Sequence, residues 1–148
     1  MTETETEFGA GTPWHLWIIA LVGLFFTAMG AFDHYMTLTR NEAYLEGFPK
    51  PLLDYWFSVP IWVFFLSGGS IVTGLVGSIL LLLRNKLVVP FFAVTLLLVI
   101  ASLIYSFVNP PPSVPEMPPS WIAGVIAVVM TGLFYLYARW MRNRGVLR

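Results

Sequence analysis

Trp14-His-Leu-Trp-Ile-Ile-Ala-Leu-Val-Gly-Leu-Phe-Phe-Thr-Ala-Met-Gly-Ala-Phe-Asp-His-Tyr35 carries no charged side chain before Asp33. As a helix rising 1.5 Å per residue, its roughly 22 residues reach about 33 Å, enough for a hydrocarbon core of about 30 Å. Pro13 just before it suits a helix start, where a missing N–H costs nothing. This is a membrane span, and the rest of the chain agrees. Of the 148 residues, 57% are hydrophobic and 11% charged, against about a quarter charged in soluble domains. The mean hydropathy is +0.77. So few charges cannot cover a water-facing surface of this size, so lipid must be the main solvent.

On the N-terminal side, Met1-Thr-Glu-Thr-Glu-Thr-Glu7 is acidic where a secretory signal is basic. The run that follows is longer than the ~7–15 apolar residues of a signal. Ala28 and Gly30 have the spacing of a cleavage site, but the expectation is an uncleaved first span over 14–35. Residues 1–12 read as a polar segment, disordered or lying on the surface.

On the C-terminal side, residues 36–58 form a polar outer connection with Arg40, Glu42, Glu46, Lys50 and Asp54. It has room for a short interfacial helix, and Pro49 and Pro51 would break a longer one. Leu52, Leu53, Tyr55, Trp56 and Phe57 make an apolar, aromatic patch suited to the headgroup layer. A second span is expected over 59–83, a third over 87–108 and a fourth over 121–140. The Arg84-Asn-Lys86 turn makes spans two and three an antiparallel hairpin. The third is the most uniformly apolar, which suggests a lipid-facing helix. Residues 109–120 hold six of the eleven prolines, namely Pro110, Pro111, Pro112, Pro115, Pro118 and Pro119. That segment is a semi-rigid extended spacer, either a loop held off the membrane or a strap for another subunit. The expected fold is an all-α integral membrane protein, a single four-helix bundle.

Orientation follows from the basic residues. Both termini and the hairpin turn share one side, with Arg84, Lys86, Arg139, Arg142, Arg144 and Arg148; the other side has Arg40 and Lys50. Positive-inside logic places both termini in the cytoplasm. Trp14, Trp17, Tyr135, Tyr137 and Trp140 then fall at the inner interface, and Tyr35, Trp56, Trp62, Tyr105 and Trp121 at the outer one.

Several chemistries are excluded. Zero net charge and the lack of a long basic stretch leave no footprint for nucleic acid. With no cysteine there is no disulfide, thiolate metal site or cysteine nucleophile. His15 and His34 are about 28 Å apart along one helix, too far to share a haem or metal, so no cofactor or metal is expected. Ser58, Ser113 and Ser120 lack the spacing of a triad with His34. The glycines of the second span lack the Gly-Lys-Ser/Thr of a phosphate loop.

Two sets of residues stand out. Asp33, His34, Arg40 and Glu42 gather ionisable groups at the outer end of the first span, where a carboxylate is interfacial and inserts at less than the ~2.5–3.5 kcal/mol of a mid-bilayer charge. Asp33 either ties the loop to the helix end through Arg40 or Lys50, binds a proton or polar solute entering between helices, or meets another subunit. In the second span, Ser70, Gly74 and Ser78 recur at every fourth position, as do Gly69, Thr73 and Gly77. Small residues at this spacing let helices approach closely. Packing is one reading of Ser70, Gly74, Gly77 and Ser78; a ligand or hinge role is the other.

Pro13-Trp-His-Leu-Trp17, Gly30-Ala-Phe-Asp33, Met36-Thr-Leu-Thr-Arg-Asn-Glu-Ala-Tyr44 and Leu81-Leu-Leu-Arg84 resemble a group of small four-span bacterial inner-membrane proteins often labelled "sugar transporter". The resemblance covers the whole chain and is most specific over Asp33–Tyr44; the proline-rich outer loop departs from the group. It implies a multi-pass protein of the bacterial inner membrane, and its label implies transport.

The expected role is non-enzymatic, an accessory or assembly subunit packing against a larger membrane complex. The small-residue stripe, the proline strap and the lack of mid-span charge favour it. The alternative is a small-solute (sugar-like) or proton-coupled transporter acting as a homo-oligomer. Partners are thus the lipid bilayer and other membrane subunits or further copies of the chain.

Overall fold

The computed structural model describes residues 11–148. Of the polar segment expected over residues 1–12, only Gly11 and Thr12 fall within the described residues. These form α1 (Trp14–Leu38), α2 (Glu42–Leu45), α3 (Lys50–Ser58), α4 (Ile61–Leu82), α5 (Val88–Val108) and α6 (Ser120–Asn143), with no strand among them. α1, α4, α5 and α6 are long and apolar enough to cross a membrane.

Proline sets four of the helix starts. Pro13, Pro49, Pro60 and Pro119 are the N-caps of α1, α3, α4 and α6, each in extended backbone. Pro90 lies in the first turn of α5, where a backbone N–H has no partner to lose. The interfacial segment holds two short helices, separated by Gly47-Phe-Pro49. The proline-rich connection before α6 forms no helix, as its missing donors and fixed φ dictate.

α4 packs between α1 and α5, and α6 packs on α5. The first three pack closely through the small residues of α4. A Cβ on Gly74 would lie 3.0 Å from Thr27 Cγ2 and 3.4 Å from Thr95 Cγ2; one on Gly77 would lie 3.0 Å from the Phe92 ring. Ser78 is fully buried, donates to Gly74 O at 2.9 Å, and its Oγ lies 3.0 Å from where a Gly23 Cβ would stand. Ser70 turns its hydroxyl back to Ser67 O at 2.7 Å. The stripe is therefore occupied by the chain's own helices.

The uniform apolarity of the third span suggested a lipid-facing helix, but α5 lies inside the packing and buries Val88, Val89, Phe92 and Thr95. α1 and α6 are the outlying helices of this row, and α6 buries least, with only Ala138 and Met141 buried and Trp121, Val129, Leu133 and Leu136 exposed. Hydropathy cannot separate these fates, because lipid tails are as apolar as a neighbouring helix.

The two ends of the bundle differ. At the terminal end, Leu16, Ala20, Leu81, Val88, Phe92, Ala138 and Met141 form the core. Gly145, at φ 70°, turns the chain after α6, and Val146 and Leu147 enter that core. The tail then pairs with the α4–α5 turn: Arg148 N donates to Arg84 O at 2.7 Å, and Lys86 N to Arg148 O at 3.0 Å. At the loop end, α3 covers a cavity.

Candidate functional site

The loop-end cavity forms where α1 passes the polar boundary and reverses. Two residues past the end of α1, Arg40 adopts left-handed backbone at φ 51°. Asn41 then caps α2, its side chain accepting from Tyr44 N at 3.1 Å. This brings Tyr44 back against α1. Its ring meets Phe32 edge-on at 5.8 Å, and its hydroxyl donates to Asp33 Oδ1 at 2.6 Å. The carboxylate holds the phenol proton and pushes the Tyr44 pKa up to about 12, with desolvation adding to the effect. Tyr44 is thus the partner of Asp33. Arg40 lies instead over the Phe57 ring, 4.4 Å from its centroid.

The cavity has a volume of about 370 Å³ and lies between α1, α4 and α5 beneath α3. α1 contributes Asp33, His34 and Thr37; α3 contributes Tyr55 and Trp56; α4 contributes Phe64, Ser67 and Ile71; α5 contributes Ser102, Tyr105 and Ser106. His34 is held by its ring against Phe64 at 5.8 Å and by the gap at Gly68, where a Cβ would sit 3.1 Å from its Nε2. Tyr55 ties α3 to the end of α5 by donating to Asn109 O at 2.6 Å, and burial pushes its pKa up. Ile71 stands near the middle of the 22-residue α4. Ten residues from Ile61 at 1.5 Å each put this floor about 15 Å below the helix start.

Of the ionisable residues singled out in the sequence, Asp33 and His34 line this cavity together, although neighbours on a helix point about 100° apart. Arg40 and Glu42 are not among its lining residues; Glu42 is an exposed first-turn residue of α2. The Ser67-Gly-Gly-Ser70 run of the second span was legible as small polar residues, but sequence reasoning missed Tyr44, Ser102 and Ser106 as site residues. The hydroxyls of α5 recur at 102 and 106, one helical turn apart, and that spacing was a usable signal. A second cavity, of about 540 Å³, lies under the proline-rich connection between Leu52, Phe107 and Trp121, and none of its lining residues is charged. Among the described residues no three His, Cys, Asp or Glu side chains gather as metal ligands.

No family model, no curated protein and no solved structure matches the chain.

Proposed function

We propose that this chain is a non-enzymatic multi-pass membrane protein that binds a small polar solute in the loop-end cavity and carries it across the bilayer as a homo-oligomer. The observation behind this reading is the reach of that cavity. It runs from the α3 cover to mid-span, with a carboxylate, an imidazole and several hydroxyls on its walls. Its volume falls in the range of about 300–1,000 Å³ usual for small-molecule sites. A site near mid-depth, with the opposite end packed shut, is what alternating access requires of one of its states. The six cations at the terminal end favour a cytoplasmic position for that end, and the resemblance implies a bacterial inner membrane.

Thermal stability in nanodiscs, read across sugars, amines and carboxylates, tests the reading. At least one class should raise the Tm of the wild type and leave Ser102→Phe, whose ring fills the cavity, unmoved. Uptake of that solute into proteoliposomes should then be abolished in folded Asp33→Asn. Identical responses of wild type and Ser102→Phe to every class would sink the idea.

An accessory-subunit role keeps one specific observation in its favour. Gly132 lies on outlying α6 with nothing within 4 Å of a Cβ built on it, near exposed Val129, Leu133 and Leu136. A small residue on an exposed apolar face suits close approach by another helix. The stripe on α4 no longer supports this role, because α1 and α5 already fill it.

A further inference from the structure

Five of the hydroxyl protons around the loop-end cavity are already spent. Thr37 Oγ1 donates to Asp33 O at 2.9 Å, Ser67 to Phe64 O at 3.1 Å, Ser102 to Leu98 O at 2.9 Å and Ser106 to Ser102 O at 3.1 Å. Tyr55 gives its proton to Asn109 O. A hydroxyl has one proton and two acceptor lone pairs, so these groups turn acceptor capacity toward the cavity. Asp33 adds more. Tyr44 occupies its Oδ1, which leaves Oδ2 for an incoming donor. His34, Trp56 and Tyr105 are the lining side chains that retain a donor for a guest.

Charge points the same way. No Lys or Arg lines the cavity, and Arg40 is engaged with Phe57 outside it. The aromatic side chains of Trp56, Phe64 and Tyr105 form part of the wall, and the faces of such rings attract cations, most strongly where water is excluded. An anion would meet the Asp33 carboxylate with no Lys or Arg opposite. A neutral sugar brings more acceptor lone pairs than donors, and its acceptors would find few partners. Leaving polar groups unpaired on binding costs affinity.

We propose that the cavity takes a small organic cation carrying N–H donors, a protonated amine, in preference to a neutral sugar or an anion. The assignment rests on reading the cavity as a solute site. The ammonium, with three protons to give, would donate to Asp33 Oδ2 and to lone pairs among the Ser67, Ser102 and Ser106 hydroxyls, with its charge against the aromatic wall.

Glucosamine, glucose and glucuronate test this as one ring bearing an ammonium, a hydroxyl or a carboxylate. Binding is measured by titration calorimetry on the full chain in phosphatidylcholine nanodiscs, mildly acid so that the amine is protonated. Glucosamine should bind about tenfold or more tightly than glucose, and glucuronate most weakly. Asp33→Asn should remove the glucosamine preference, and Asp33→Glu should restore most of it. Trp56→Leu, which leaves the carboxylate in place, should lower glucosamine affinity several-fold and provides an arm independent of Asp33. Glucose or glucuronate binding as tightly as glucosamine, and lost in Ser102→Phe, would overturn the cation assignment while keeping the solute site. Binding of none of the three, with Ser102→Phe matching wild type across the wider panel, would overturn both.

Discussion

Asp33 sits where α1 leaves the apolar layer, and the group that meets it comes from 11 residues downstream. That separation explains why the pair was hidden in the sequence. Asp33 and His34 stand out because ionisable side chains in an apolar run are expensive. Tyr44 looks like any interfacial aromatic until the Arg40 turn and the Asn41 cap are known. The bond has a defined pH window. The folded pKa of Tyr44 is raised from the ordinary 10.0 to about 12, so the contribution is fully present below pH 10 and is lost as pH rises through about 12. Tyrosinate absorbance on alkaline titration should therefore show a late phase that loses one phenol in Tyr44→Phe and moves back toward the ordinary value for that phenol in Asp33→Asn. An unchanged late phase in Tyr44→Phe would assign it to another tyrosine. The tether is solvent-exposed, so Tyr44→Phe should cost under about 1 kcal/mol of stability.

Among elements, α4 shows what the pattern of small residues could and could not convey. Their four-residue spacing announced a close helix approach, but not which helix approaches. In lipid, van der Waals contact and hydrogen bonds drive association, and a partner within the chain or outside it would leave the same stripe. The exposed hydroxyl-free face of α6 was illegible for the same reason. Two glycines now separate the cases. In Gly77→Ala the new methyl would meet the Phe92 ring at 3.0 and 3.1 Å, and Phe92 is itself 2% exposed within the core. Overpacking of this kind costs about 1–3 kcal/mol. Gly132→Ala meets nothing within 4 Å and removes a helix-interior glycine, a gain of about 0.5–1 kcal/mol. The Tm in detergent should fall for the first and rise for the second. A fall for Gly132→Ala, together with loss of a larger assembly on sizing, would show that position to be a helix contact and would favour the subunit role.

Across the whole molecule, hydropathy made the four long helices legible, because a membrane-length apolar run has few other uses. Their order in space and the contrast between the two ends were not, since both depend on residues that look unremarkable in sequence. The last residues illustrate this. Arg142, Arg144 and Arg148 read as a basic end in water, and they are exposed. Val146 and Leu147, set among them, are 5% and 6% exposed and belong to the terminal-end core. Gly145 makes this possible: its N–H bonds back to Arg142 O at 3.0 Å, and Val146 N bonds to Met141 O at 3.1 Å, a helix end that needs left-handed backbone. This end faces the polar boundary, where burying apolar surface from water has its usual value of about 1.5–3 kcal/mol per large side chain. The joint change Val146→Ser with Leu147→Ser should therefore cost about 3 kcal/mol or more and lower the Tm in nanodiscs. The loop-end cavity shares no lining residue with this core, and effects at sites this far apart are usually independent. Glucosamine affinity in the folded double variant should stay within about twofold of wild type. An unaltered Tm would mean that the tail does not hold the terminal end shut, and a large loss of affinity with Tm preserved would mean that the two ends are coupled, as a carrier's must be when it turns over.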